Sequence, residues 1–350
     1  MSGYRIKFNG IDRLYADYSW RLTRRAKEVW RSGAVLQGKY LAELEKQIAK
    51  KYKRKYAVGV GSATDGLYFA LKALGISKND SVICPVLSYV ATAGAIRRAG
   101  ANVRFVDVDR QGNISDWGII GLPKAVMYVN LFGNLADYDR LRNYCDAHRI
   151  PLIEDAAQSQ GAYYGKTPSG KLGDVSVFSF DPMKNMPSFG SGGMVLTDNK
   201  YVHDTVKSLR RHAFNTDFPY GYNSLIPEDH AHQLLFLLSK FDRLQKMRRR
   251  VFERYKKQLP TVQFIETKDH TISSHHKLVM LTDSRDALRR HLHEHGIETK
   301  IHYDKTLDDK HRYKNADNIC ARSISLPIYP HLKLDEVDYI CEKVRKFNGV

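Results

Sequence analysis

The stretch FSFDPMKNMPSFGSGGMV, residues 178–195, sets a single lysine in an otherwise apolar and glycine-rich run. It begins as the end of a strand-like segment, VSVFSF (175–180), kinks at Pro182-Met183, and carries Lys184-Asn185 into a flexible GSGG at 190–193. The apolar residues before the lysine and the glycines after it argue against a solvated surface side chain. An amine shielded from water loses part of its preference for charge. It then becomes a usable nucleophile toward carbonyls, with which it forms Schiff bases.

Working outward, the strand-like PLIEDAAQ (151–158) brings Glu154 and Asp155 to its end. Asp155 taken alone reads equally well as a cap for the next helix. With Lys184 one strand further along, adjacent strands bring amine and acid to one cleft. A third piece is AVGVGSATDGLYFALKALG (57–75), a short strand followed by a helix that ends at Gly75. Its GSAT (61–64) sits at the strand-to-helix turn. There Ser62 and Thr64 either cap the helix or join the free backbone N–H groups in holding a phosphate. Tyr89, in PVLSYVATAGAI, offers an aromatic face, although core packing explains it equally well. A phosphate cradle, a lysine for an aldehyde and an acid for a ring nitrogen converge on pyridoxal 5'-phosphate (PLP). A carboxylate on the pyridine nitrogen keeps it protonated, so the ring draws electrons from the substrate's α-carbon.

The wider pattern is an alternation. SVICPV (81–86), VRFVDVD (103–109), AVMYVNLFG (125–133), PLIEDAAQ and VSVFSF read as strands, with helical YVATAGAIRRAG (89–100) and ADYDRLRNYCDAHR (136–149) between them. Strands that are apolar on both faces predict an α/β fold with a mostly parallel sheet covered by helices. KYLAELEKQIAKKY (39–52) adds an amphipathic helix. A long helix near 230–257 places Phe241, Leu244, Met247, Val251 and Tyr255 on one side and charges on the other. Beyond it, TVQFI, KLVMLT, ETKIHY and SISLPI alternate with helical DALRRHLHEHG and LDEVDYICEKVRKF, which predicts a smaller α+β domain. The expected division is 1–245 for the large domain with its N-terminal segment and 246–350 for the small one.

At 350 residues and 43% hydrophobic content the chain can bury a full core. No run approaches the roughly 20 apolar residues needed to span a bilayer. The N-terminus has no apolar segment followed by a small-residue cleavage site. Cys84, Cys145, Cys320 and Cys341 show no paired spacing. A cytoplasmic protein with reduced thiols is therefore expected. The 56 basic and 38 acidic residues give a net charge of +18, which favours anionic partners. No zinc-finger or RNP signature accompanies that charge, so nucleic acid is not the expected partner. His291, His293 and His295 form a helical i, i+4 pattern without a third metal ligand, so they read as a solvated helix end and no metal is expected.

The chain resembles the sugar-nucleotide aminotransferases of the DegT/DnrJ/EryC1/StrS family, which are fold-type I (aspartate aminotransferase-like) PLP enzymes. The motifs that carry the resemblance run in one order through GSATDGL, YVATAGAI, FVDVD, LFGNLADYD, IEDAAQSQGA, GDVSVFSF, KNMPSFGSGG, GIETKIHY and SISLPIYP. It implies a seven-stranded, mostly parallel sheet between helices. It implies Lys184 as the Schiff-base lysine that also moves protons, Asp155 at the pyridine nitrogen, and Gln158 near the ring hydroxyl. Tyr89 would stack on the ring, and Ser62, Ala63, Thr64 and Ser179 would hold the phosphate. Asn223, in GYN, would reach the neighbouring subunit's phosphate in a homodimer. The implied reaction takes an amine from an amino acid, L-glutamate, through pyridoxamine phosphate to a nucleotide-linked keto-sugar. The spacing from Lys184 to Gly192-Gly193 leans toward amination at C-3. The chain also departs from the family pattern: Ser224-Leu225 stand for Tyr-Arg after GYN, His230 and His232 for Gln and Ala, Asp181 for His or an aromatic, and Ser191 for an acid. Residues 304–308 replace a proline-rich stretch. The departures leave a second reading open, a catalytically weak relative with a regulatory or carbohydrate-binding role.

Overall fold

In the computed structural model, which describes residues 3–115, 121–214 and 218–349, the β-branched runs become the strands of one sheet. These are β1 (Tyr56–Val60), β2 (Ser81–Pro85), β3 (Asn102–Val106), β4 (Ala125–Val129), β5 (Leu152–Asp155), β6 (Val175–Ser179) and β7 (Gly193–Thr197). Their order is β1-β7-β6-β5-β4-β2-β3. Neighbours pair parallel from β6 through β5, β4 and β2 to β3, and β7 runs antiparallel to both β1 and β6. Every residue of β4, β6 and β7 is buried, as a sheet covered on both faces requires.

The alternation of side chains along a strand divides the packing into two layers. Val177 and Val195 face Leu67 and Leu71 of α3 (Ala63–Ala73), in a layer shared with α4 (Val90–Arg98) and α6 (Lys200–Leu209). Their neighbours Phe178, Met194 and Leu196 face the other way. They meet Leu22 of α1 (Ile11–Ser32), Leu44 and Ile48 of α2 (Lys39–Lys51), and Leu234 and Phe241 of α7 (Glu228–Gln258). A further layer holds Leu141 and Cys145 of α5 (Tyr138–His148) against Val126 and Tyr128.

α7 links this assembly to a C-terminal core. Its Val251 and Tyr255 pack with β8 (Leu278–Leu281) and β9 (Ser323–Leu326), an antiparallel pair, and with Leu288 and Leu292 of α8 (Arg285–Glu294). Ile340 and Val344 of α10 (Leu334–Asn348) close the layer, and α9 (Lys314–Arg322) packs beside β8. Residues near the N-terminus join this core: Ile6 is buried in it and bridges in parallel to Ile297.

Several expectations are corrected. The strand expected over 125–133 stops at Val129, because the chain turns into a short 3-10 segment, Leu131–Gly133, in which Phe132 adopts φ 61°. TVQFI and ETKIHY contribute single bridges, Phe264 to Met280 and Lys300 to Ser325, rather than strands. The charged face of α7 is interrupted by Arg248, which is buried. It donates to the carbonyls of Ile328 (2.7 Å) and His275 (3.3 Å), and burial pulls its guanidinium down to about 10. The three histidines of α8 are not freely solvated. His291 Nε2 meets the Lys343 carbonyl at 3.1 Å, His293 Nε2 meets Thr299 Oγ1 at 3.0 Å, and His295 Nδ1 meets the His291 carbonyl at 2.8 Å. Among the described residues no metal-binding cluster forms, and no helix is long and apolar enough to cross a membrane. All four cysteines are buried and unpaired.

Candidate active site

Parallel strands bring their carboxyl ends to one edge, and the helix N-termini that follow point there. A cavity of about 420 Å³ opens at that edge. Ser62, Ala63 and Thr64 line it from the start of α3, and Ser179 lines it from the end of β6. Ser62 is the N-cap of α3, its Oγ accepting from the Asp65 N–H at 3.1 Å. Ser179 Oγ likewise accepts from the Asp181 N–H at 3.3 Å. Both hydroxyls thus keep their own O–H free to donate. The N–H groups of Ala63 and Thr64 belong to a first turn that has no intrahelical carbonyl to meet.

Asp155 closes β5 and reaches the cavity floor, 5% exposed. Its Oδ2 accepts the Thr92 hydroxyl at 2.7 Å and its Oδ1 accepts the Ala157 N–H at 3.2 Å. Burial pushes its carboxyl up, and these two donors and the nearby Lys184 ammonium oppose the shift. Lys184 is half-buried on the turn after β6. Desolvation lowers its amine below the ordinary lysine value, against the pull of Asp155 and Asp181. The expected amine and acid therefore share one water-poor space.

Gln158 is fixed at both ends of its amide: Oε1 accepts the Phe132 N–H at 3.0 Å and Nε2 donates to the Tyr303 hydroxyl at 3.1 Å. The left-handed Phe132 turn that ends β4 early is thus what positions Gln158. Tyr89 precedes α4 at the cavity mouth, 57% exposed, with its ring 6.5 Å from that of Tyr303. Asn223 does not line this cavity. It is exposed and bridges to Arg211, while the adjacent Ser224 accepts the Gly61 N–H at 2.9 Å and donates to Asp65 at 2.8 Å.

The two departures within the opening stretch have distinct placements. Ser191 donates to the Gly61 carbonyl at 2.5 Å, tying the turn before β7 to the loop before α3. Asp181 is exposed and accepts the Met183 N–H at 2.9 Å, which shapes the turn that presents Lys184. Gly193 is needed for close approach: a Cβ there would stand 2.6 Å from the Ala63 nitrogen.

The opposite wall comes from the C-terminal half and carries residues that the sequence reading did not single out: His276, Lys277, His302 and Tyr303. Both imidazoles are held well below their ordinary value by burial, with Lys277 and Lys184 adding to it, so they stand neutral. The paired histidines and lysine of SSHHKLVML were the available signal for this wall.

A mostly parallel sheet with a lysine and an acid at its carboxyl edge defines an α/β protein built for amine chemistry. Residues 19–345 match the DegT/DnrJ/EryC1/StrS aminotransferase family, and the chain belongs to that family. It is 30% identical to the pleiotropic regulatory protein of Geobacillus stearothermophilus, over 95% of this chain and 96% of that protein. It is also 30% identical to the UDP-2-acetamido-2-deoxy-3-oxo-D-glucuronate aminotransferase of Pseudomonas aeruginosa, over 96% of this chain and 98% of that one. The crystal structure of S. venezuelae DesV in complex with a ketimine intermediate superimposes with a TM-score of 0.94 at 29% identity, covering 98% of each chain.

Proposed function

We propose that this protein is a PLP-dependent aminotransferase that moves an amine from L-glutamate to the ketone of a nucleotide-linked sugar. The observation that carries the reading is the placement of the Lys184 amine and the Asp155 carboxylate in one cavity whose rim is the N-terminus of α3. That donor set fits pyridoxal phosphate. Ser62, Thr64 and Ser179, with the Ala63 and Thr64 amides, meet a phosphate; Lys184 meets an aldehyde; Asp155 meets a pyridine nitrogen. Bound there, the cofactor would supply an electron sink for the substrate's α-carbon and an acceptor for its amine.

The protein's own residues do the rest. Asp155, held by Thr92 and the Ala157 amide, keeps a negative charge where a protonated ring nitrogen needs it. Lys184 would hold and move the proton at the α-carbon, a role suited to an amine whose burial favours the neutral form. Gln158 would meet the ring hydroxyl, and Tyr89 would cover the ring's face. We assign Asn223 to the neighbouring active site of a homodimer, in keeping with its exposed position away from its own chain's cavity.

The P. aeruginosa relative's name carries a 3-oxo sugar, which accords with amination at C-3. The unpaired thiols accord with a cytoplasmic enzyme. The regulatory name of the Geobacillus relative keeps the non-catalytic reading in view, but Lys184 and every expected cavity residue other than the partner-directed Asn223 are present and convergent. The test is spectroscopic. Protein loaded with PLP should lose its visible absorption on addition of L-glutamate and recover it with a keto-sugar nucleotide, and a loaded protein inert to every amino acid would contradict the reading.

A further inference from the structure

The cavity that holds Lys184 has a second ammonium on its wall. Lys277 opens β8's approach from the C-terminal core, and its side chain lines this cavity and also the smaller space behind Lys184, between Phe8 and Arg248. Among the described residues Lys277 forms no ion pair. Its Nζ stands over the Phe8 ring, 4.8 Å from the centroid. Its backbone N–H is tied to the Phe132 carbonyl at 3.1 Å, the same turn that fixes Gln158. The side chain is therefore anchored at its base, and its tip meets an aromatic face and no acidic side chain among the described residues.

From this placement we infer that Lys277 is the subsite for the α-carboxylate of the amino-acid donor. The inference rests on the function proposed above. An amino-acid donor must bring its nitrogen to the place of the Lys184 amine, and its α-carboxylate lies two bonds from that nitrogen. The partner of that carboxylate must then stand beside Lys184 within the same cavity. His276 and His302 share the wall but are held neutral, with His276 Nδ1 committed to Asn185 at 3.2 Å and His302 Nδ1 to Ser325 at 2.8 Å. Arg248 gives one nitrogen to two carbonyls and lines the smaller space behind Lys184, not this cavity. Asp181 is the nearest opposing charge on the cavity rim, and it is exposed. Burial and the neighbouring Lys184 make the charge of Lys277 costly without an anion. A carboxylate supplies that anion in a site of low dielectric, where a charge-assisted hydrogen bond is strong.

The test uses the full-length protein. PLP-loaded wild type, Lys277→Met and Lys277→Arg are titrated with L-glutamate while the visible absorption is followed. The cofactor-free forms are titrated with glutarate, an unreactive dicarboxylate, by calorimetry. Lys277→Met should raise the half-saturating glutamate concentration and the glutarate Kd by about 10- to 100-fold, with Lys277→Arg within a few-fold of wild type. Wild type should also reject 4-aminobutyrate, which keeps the amine and lacks the α-carboxylate. If Lys277→Met binds glutamate and glutarate as wild type does, or if wild type accepts 4-aminobutyrate as readily as glutamate, the subsite assignment is overturned and the aminotransferase reading stands. A Lys277→Met protein that loses only its response to keto-sugar nucleotides overturns the assignment as well. A wild type inert to every amino acid removes the functional reading and the subsite with it.

Discussion

Thr92 donates its hydroxyl to Oδ2 of Asp155 at 2.7 Å, and Ser88 Oγ stands 2.8 Å from Thr92 Oγ1, so a relay of hydroxyls at the start of α4 holds the charge at the end of β5. With Thr92 donating to the carboxylate, Ser88 donates to Thr92. The carboxylate is buried, and its charge depends on these donors. Thr92→Val removes the stronger of its two hydrogen bonds and raises the Asp155 pKa further. The rate of the glutamate half-reaction should then fall about 10-fold, as expected for one charge-assisted bond. The acid limb of its pH profile should also move to higher pH, because Asp155 must be ionised to act. Thr92→Ser should restore both. Stopped-flow absorbance across pH measures the shift.

Lys184 attacks a carbonyl only as the neutral amine. Its pKa is lowered, so cofactor uptake by the cofactor-free protein should rise with pH and level off below 10.5, the ordinary lysine value. Asp181 opposes the lowering by favouring the ammonium. Asp181→Asn should therefore move the midpoint of uptake to lower pH, and a shift toward higher pH would sink this account of the residue. Uptake rates followed by visible absorbance at fixed ionic strength provide the comparison.

Gly193 and its neighbour Gly192 make a matched pair. A Cβ at 193 would stand 2.6 Å from the Ala63 nitrogen, whereas one at 192 would meet Phe180 at an ordinary 3.4 Å. Gly193→Ala must push β7 away from the α3 N-terminus. It should cost about 1–3 kcal/mol, seen as a lowered melting temperature of the cofactor-free protein, and weaken phosphate binding. Gly192→Ala should melt close to wild type.

Glu228 opens α7, 1% exposed, and spans to the start of α2: Oε1 accepts the N–H groups of Gly38 (2.8 Å) and Leu41 (3.1 Å), and Oε2 accepts that of Tyr40 (2.8 Å). A carboxylate is suited to this place because it accepts at four sites and offers no hydrogen to clash with three donors. Glu228→Ala strands those donors and removes negative charge from two helix N-termini, at a cost of about 3 kcal/mol. Urea denaturation should show a lower midpoint with an unchanged slope, and Glu228→Gln should fall between.

Much of the site was legible because its chemistry is local. Lys184 follows a strand by a few residues, Asp155 ends one, and Ser62 to Thr64 start a helix, so each announces itself within a short window. The opposite wall was not legible that way. Lys277 and His302 reach the cavity because the C-terminal core folds back on the sheet, a contact between residues far apart in the chain that no local periodicity encodes. Strand lengths failed for a related reason. AVMYVNLFG is apolar but for Asn130, and the chain leaves the sheet there: the Asn130 side chain donates to Glu154 at 2.9 Å and accepts the Ala136 N–H at 3.0 Å, across the turn that carries Phe132. Arg248 looked like one more charge on a basic helix face, and only the carbonyls of Ile328 and His275 explain its burial. The strand β7 follows directly on the glycine-rich turn, and it runs antiparallel between β1 and β6.

Two amines share the cavity, and the account requires that only one of them bind the cofactor. Borohydride reduction of the PLP-loaded protein fixes the Schiff base in place, and peptide mass spectrometry then locates it. The account predicts the reduced adduct on Lys184 in wild type and in Lys277→Met, with none in Lys184→Ala. An adduct on Lys277 in the wild-type protein, or no adduct on either lysine, would contradict it.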